Sequence, residues 1–259
     1  MDISYTSAFH ERLYTRVPTD AEAIGAAWDQ VFAGVPEHDI YRDRWMKART
    51  EKRGPMASGL PWINFPAIDF LERQLSGKGR IFEWGMGGST VFFRRHARSV
   101  VSVEHARSWF EAAQGQIDAL PRRAAHFLEP FLPHSRRSQL VLLEPVADAG
   151  EQEFVSGARK MEGLSFKPYV QFIDRYPYDF FDLVAVDGRA RMACCRRGAA
   201  KVKPGGFLML DNSDYLRYQP ELERFHDSLG NRWTRTDFLG PGAFSAVFGW
   251  RTTIWQRLH

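Results

Sequence analysis

Residues 80–91 read RIFEWGMGGSTV. An apolar stretch carries one acid, Glu83, and runs into Gly85, Met86, Gly87 and Gly88, then Ser89 and Thr90. Glycines let a backbone approach a ligand closely, some of them at positive φ. A helix that begins at the two hydroxyls points free N–H groups at a negative group such as a carboxylate, and a hydroxyl can cap those groups. About 20 residues further on, Glu104 closes the next apolar stretch and is followed by His105. An acid at that place accepts both hydroxyls of a ribose. The chemistry in view is recognition of a nucleoside-bearing ligand.

The loop narrows the choice of ligand. The phosphate loop G-x-x-x-x-G-K-[ST] requires a lysine, and none lies here. The dinucleotide fingerprint G-x-G-x-x-G is met by Gly85 and Gly87 but has Thr90 at its third position, where a glycine allows close helix–strand packing. An acid two residues ahead of the first glycine repels a pyrophosphate and suits a ligand with an ammonium and a sulfonium. S-adenosylmethionine (SAM) has both, together with a carboxylate and a ribose. The loop therefore favours SAM over NAD. A purely structural Glu83, hydrogen-bonded to the loop's own amides, stays open, and so does an NAD-binding oxidoreductase.

Ligands of open α/β sheets sit outside the carboxyl ends of the strands. Asp187 and the pair Asp211-Asn212 are predicted there. Methyl transfer asks mainly for alignment, and for a base where the nucleophile must lose a proton. Asp187 is the expected catalytic group near the methyl. Arg189 and Arg191 follow it, either to recognise an acidic substrate or to pair with a neighbouring acid. Trp62, Trp84 and Tyr215 are candidates for the substrate side, although aromatic residues more often fill cores. His226 reads as a surface residue of a helix.

The elements that must position these groups alternate regularly. Residues 1–60 carry helical spacing, as in Ile24, Ala27, Trp28, Val31 and Phe32 after a cap-like Thr19-Asp20, and read as an N-terminal helical extension packed on the main domain. Residues 61–259 read as one Rossmann-like domain: strands at 79–85, 99–105, 139–146, 180–188 and 205–214 alternate with helices, and 232–240 with 249–258 form a closing hairpin. Pro204, Gly205 and Gly206 are expected to turn the chain into the fifth strand. Such alternation implies a doubly wound, mostly parallel α/β sheet with right-handed crossovers. The length of 259 residues allows one sizeable α/β domain with an extension. The net charge is +4, but seven lysines against 28 arginines are spread along the chain in short clusters such as Arg94-Arg95, Arg122-Arg123 and Arg136-Arg137. That pattern argues against a nucleic-acid partner. No apolar run reaches a membrane span and no leader is visible. Cys194 and Cys195 are adjacent, a spacing for two buried thiols in a reducing cytoplasm rather than a disulfide or zinc site.

The stretches FEWGMGGSTVFF and SVVSVEH, then FDLVAVDGRAR, then KPGGFLMLDNSD resemble the class I SAM-dependent methyltransferases, from about Trp62 to Trp255. The resemblance implies a seven-stranded sheet of order 3-2-1-4-5-7-6 with the last strand antiparallel. It implies that Glu83, Gly85, Gly87 and Ser89 surround the methionine part of SAM, with Met86, Gly88 and Thr90 in the same loop. Glu104, with His105 beside it, would hold the ribose, and the adenine position falls near Glu144. In metal-dependent catechol-type O-methyltransferases an Asp after the fourth strand and an Asp-Asn pair after the fifth bind Mg²⁺ or a similar ion. Asp187, Asp211 and Asn212 match that arrangement with hard oxygen donors, and such an ion would lower the pKa of a substrate hydroxyl. The alternative is that Asp211-Asn212-Ser213 only turns the chain. The absence of [DN]-P-P-[YF] after the fourth strand turns the expectation away from base or amide nitrogens. The sequence thus predicts a cytoplasmic SAM-dependent methyltransferase of a small-molecule acceptor, oxygen slightly favoured. An NAD-binding oxidoreductase and a non-catalytic SAM-binding relative are the alternatives.

Overall fold

The computed structural model describes residues 7–51, 54–118, 138–147, 151–157 and 161–259. The arginine pairs at 122–123 and 136–137 lie outside them. Seven strands form the sheet: β1 Arg80–Trp84, β2 Ser99–Glu104, β3 Ser138–Leu142, β4 Phe181–Val186, β5 Val202–Leu210, β6 Trp233–Pro241 and β7 Gly249–Arg257. Their order is β3-β2-β1-β4-β5-β7-β6. β1 to β5 are parallel, and β7 runs antiparallel between β5 and β6. The fold expected from the sequence is the one observed. A β-branched, apolar strand buried on both faces is what a central parallel sheet requires.

Side chains alternate along each strand between two cores. Ile81, Val100, Leu183 and Met209 face the first, which is covered by α1 Ser7–Leu13, α2 Ala21–Val31, α3 Arg42–Thr50, α5 Phe65–Gln74 and α6 Gly88–His96, while the short α4 Pro55–Ser58 packs through Met56 on a small cluster of Met86, Val91, Ala113 and Ile117. Phe82, Trp84, Val184 and Leu208 face the second. It is covered by α8 Lys167–Gln171, α9 Arg191–Ala199 and α10 Gln219–Leu229, while α7 Arg107–Asp118 flanks β2 and β3. Cys194 and Cys195 are free and buried on α9. Within the first core Trp45 stacks on Phe248 and Trp28 packs tilted against Trp45, so the helices of residues 7–50 share apolar packing with the closing hairpin.

Local signals explain the element ends. Asp20 caps α2 by accepting from the Ala23 N–H at 3.0 Å. Asn64 caps α5 the same way at Ala67, while its amide donates to the carbonyls of Phe238 at 2.8 Å and Trp250 at 2.9 Å. One buried side chain therefore both starts a helix and ties it to the hairpin.

α1 falls within the expected helical extension and rests on two apolar anchors, Phe9 and Leu13. The strands differ from expectation in two places. The turn expected at 204–206 is already strand: Val202 pairs with Phe181, and the register shifts before Phe207 meets Leu183. The third strand ends at Leu142, short of the expected 146, and Val146–Ala147 instead pairs antiparallel with Leu164–Ser165 outside the main sheet. Among the described residues no helix is long and apolar enough to cross a membrane.

Candidate functional site

β1 delivers Glu83 to the floor of the glycine loop, where it is 1% exposed. Ser89 donates to its Oε2 at 2.7 Å, and Thr90 and Ser102 donate to its Oε1 at 2.5 Å each. Burial pushes its pKa up to about 7, and the three hydroxyls hold it from rising further. The Gly87 N–H in turn donates to Thr90 Oγ1 at 3.1 Å. Thr90 thus replaces the third glycine of a dinucleotide loop with a hydroxyl that links Glu83 to Gly87. Glu83 is bonded within the loop, as one of the open readings had it, but to hydroxyls rather than amides.

Two glycines are dictated by their surroundings. Gly85 has φ +100°, and a Cβ there would stand 3.0 Å from the backbone of Asp187. This is the crossing between the ends of β1 and β4. A Cβ on Gly88 would lie 2.1 Å from the Leu60 carbonyl and 2.4 Å from that of Pro55. The segment carrying α4 is therefore pressed against the start of α6.

The end of β2 supplies the second wall. Glu104 is buried; its Oε2 accepts from the Met86 N–H at 3.1 Å and its Oε1 from the N–H groups of His105 and Ala106 at 2.8 Å each. His105 Nδ1 stands 2.7 Å from the same oxygen. Burial works against the charge of Glu104, but the imidazole and the two N–H groups outweigh it and hold the pKa below its ordinary value. Arg189 Nε lies 3.4 Å from His105 Nε2, joining the loop after β4 to the end of β2. Trp109, on α7, donates to the Met86 carbonyl at 2.5 Å and faces Gly87. Sequence reasoning missed Trp109; its only signal was a tryptophan five residues after Glu104.

The three residues expected to ligate a metal do come together, but around a guanidinium. Arg191 NH2 pairs with Asp187 Oδ1 at 2.8 Å, and its NH1 donates to the Asp211 carbonyl at 2.5 Å and to Asn212 Oδ1 at 3.1 Å. Its Nε donates to the Gly188 carbonyl at 3.0 Å. The Asp211 carboxylate points elsewhere, accepting from Trp250 Nε1 at 2.9 Å and Thr252 Oγ1 at 2.6 Å. Burial pushes Asp211 up to about 8, with the charge of Asp187 adding to it. Burial also raises Asp187, against the pull of Arg191. Burial opposes the charge of Arg191 itself, but the carboxylate of Asp187 more than restores it. This donor set does not fit a divalent cation: one carboxylate and the amide oxygen already face a permanent cation, and the other carboxylate is turned into the sheet. Among the described residues no group of three His, Cys, Asp or Glu side chains is arranged to hold a metal ion. At the place where Mg²⁺ was expected, between Asp187, Asp211 and Asn212, this structure has the Arg191 guanidinium.

Of the aromatic candidates, Trp84 is fully buried and donates to the Tyr169 carbonyl at 2.9 Å, so it belongs to the core. Trp62 and Tyr215 are 45% and 36% exposed. His226 accepts from Trp255 Nε1 at 3.3 Å.

No known family's sequence profile matches the chain, and no curated protein does. Solved structures do match. The O-methyltransferase from Bacillus cereus in complex with SAH aligns at a TM-score of 0.50 and 16% identity, over 90% of this chain and 97% of that one. The fold is that of the class I methyltransferases. An rRNA methylase from Streptococcus thermophilus (TM-score 0.48, 12% identity, 80% of this chain and 99% of that one) is also similar. So is a methyltransferase-like protein from Silicibacter pomeroyi (0.43, 20%, 77% and 91%). In this class I methyltransferase fold the strand order reverses between β1 and β4, the position at which open α/β sheets bind ligands. Gly85 and Asp187 follow those two strands directly, and Glu104 ends the neighbouring β2.

Proposed function

We propose that the protein is a cytoplasmic SAM-dependent methyltransferase acting on a small-molecule acceptor, with oxygen favoured as the acceptor atom. The observation that carries this reading is the Gly85–Gly88 loop at the switch point, facing the ionised Glu104 at the end of β2. The loop backbone and the first N–H groups of α6 hold the carboxylate of the methionine part. Glu83 sets the loop through Ser89 and Thr90 rather than by reaching the ligand itself. Glu104 takes the ribose hydroxyls at Oε2, the oxygen whose partner in this structure is the single N–H of Met86. When bound, SAM supplies an electrophilic methyl. Asp187, fixed by Arg191 at the end of β4, would line the place where the acceptor meets that methyl.

Calorimetry tests the reading: S-adenosylhomocysteine binds and NAD does not. Binding of NAD alone would make the protein an oxidoreductase of the alternative kind. Glu104→Ala is expected to weaken S-adenosylhomocysteine by ~1–3 kcal/mol, the loss of charge-assisted hydrogen bonds. Unchanged affinity in that titration would remove Glu104 from the ribose.

A further inference from the structure

The end of the sheet opposite the glycine loop holds a cavity that the cofactor site does not use. It lies where β4, β5 and β6 begin, where β7 ends, and where α9 and α10 stop; its volume is about 430 Å³. The six residues of β4 set it roughly 20 Å from Asp187, at about 3.3 Å per residue. Tyr178, Ala199, Ala200, Leu229 and Trp233 give it an apolar, partly aromatic lining. The Tyr178 ring is 74% exposed but held: Lys201 Nζ stands 4.4 Å from its centroid and donates to the Tyr176 carbonyl at 2.7 Å. An adjoining cavity shares Arg196 and Ser228 with it and is lined mainly by charged side chains.

Three arginines and an aspartate also line the first cavity. Arg257 pairs with Asp179 and donates to the Val202 carbonyl at 2.6 Å. Arg196 pairs with Glu221, and with Glu153 at 3.5 Å. Arg232 is exposed, and among the described residues its guanidinium has no ion-pair or hydrogen-bond partner.

These contents select a ligand. The unpaired guanidinium presents a fork of N–H donors that matches one carboxylate. The paired arginines are neutralised, and their flat faces, like the rings of Trp233 and Tyr178, suit an aromatic body. α9 and α10 both end here, and each carbonyl end carries roughly half a negative charge, which disfavours a dianion such as a phosphate ester. The volume is that of a small-molecule site.

We propose that this cavity is a second ligand site and that it takes a small aromatic monocarboxylate, with the carboxylate on Arg232 and the ring against Trp233 and Tyr178. Binding there leaves the cofactor loop free, and the inference holds whether or not the protein transfers methyl groups.

Isothermal titration of the full chain with indole-3-acetate and benzoate tests it, against their neutral counterparts tryptophol and benzyl alcohol and against acetate. At least one of the two acids is expected to saturate a single site per chain, with its neutral counterpart and acetate weaker by about tenfold or more. Arg232→Ala is expected to weaken that acid about tenfold, and Arg232→Lys by less. Arg232 has no partner to lose, so these variants are expected to fold as the wild type does. Saturating S-adenosylhomocysteine should leave the affinity for the acid within about twofold, because the two sites share no residue. Four results overturn the inference: no saturation by either acid at millimolar concentration, equal binding of an acid and its neutral counterpart, an affinity of Arg232→Ala within about twofold of wild type, or competitive displacement of the acid by S-adenosylhomocysteine.

Discussion

Arg191→Ala is expected to cost ~3–5 kcal/mol of folding stability, the range for removing one partner of a buried ion pair. The guanidinium side chain is 10% exposed. Its loss leaves the Asp187 carboxylate, the carbonyls of Gly188 and Asp211 and the amide of Asn212 without their donor. In a chain of this size each kcal/mol moves the midpoint by roughly 2–4 °C, so a fall on the order of 10 °C is expected. Arg191→Lys restores the charge but not the planar fork and should lie between the two. A thermal midpoint for the alanine variant within 2 °C of wild type would mean that the clamp contributes little. In the same assay, EDTA and magnesium are expected to leave the wild type unmoved. A magnesium-dependent rise would bring the cation back to this site.

Glu83→Gln is expected to be more stable than wild type at pH 8. The folded-state pKa of about 7 stands above the ordinary 4.5. Between those values the native state keeps a proton that the unfolded chain has lost, so this group's contribution falls as pH rises through the window. The full difference is ~3 kcal/mol, at 1.36 kcal/mol for each pH unit. The glutamine carries no charge to desolvate and so lacks this slope. Its gain at pH 8 is smaller than ~3 kcal/mol, because hydroxyl contacts to a carboxylate are the stronger ones. Urea titrations of both proteins at pH 5 and pH 8 check this. A gap that does not change between the two pH values would show that Glu83 titrates as an ordinary carboxylic acid.

The sheet was legible because its signals are local. Each strand is a short apolar run, and Asp20 and the glycine loop mark their elements with residues a few positions apart. The hairpin at 233–257 was legible from its period of two. What escaped the sequence depends on pairs that only the fold brings together. Nothing near His10 names Asp214, 2.9 Å from its Nε2, as its partner. Arg189 and Arg191 sit one residue apart with the same chemistry, yet the first reaches His105 and the second turns back on Asp187. Ala190 between them takes a left-handed conformation, φ 46°, just before α9 begins at Arg191, and an arginine then stands where three oxygen donors on their own read as a cation site. Thr90 was read as the absence of a glycine; the reason for a hydroxyl became visible only with Glu83 and Ser102 beside it.

The stitching of residues 16–64 to residues 238–252 has a bearing on how the chain is made. Trp45 donates to the Gly242 carbonyl at 3.2 Å, Asn64 to that of Trp250 at 2.9 Å, and Val17 to that of Ala246 at 2.9 Å. At translation speeds of about 5–20 residues per second, the first of these segments waits roughly 10–40 s for its partner. Throughout that interval Trp28, Phe32 and Trp45 lack Phe248, the ring that all three pack against. The helices synthesised first are thus among the last to acquire their native contacts, and the nascent chain offers a chaperone an aromatic surface until its final hairpin has emerged.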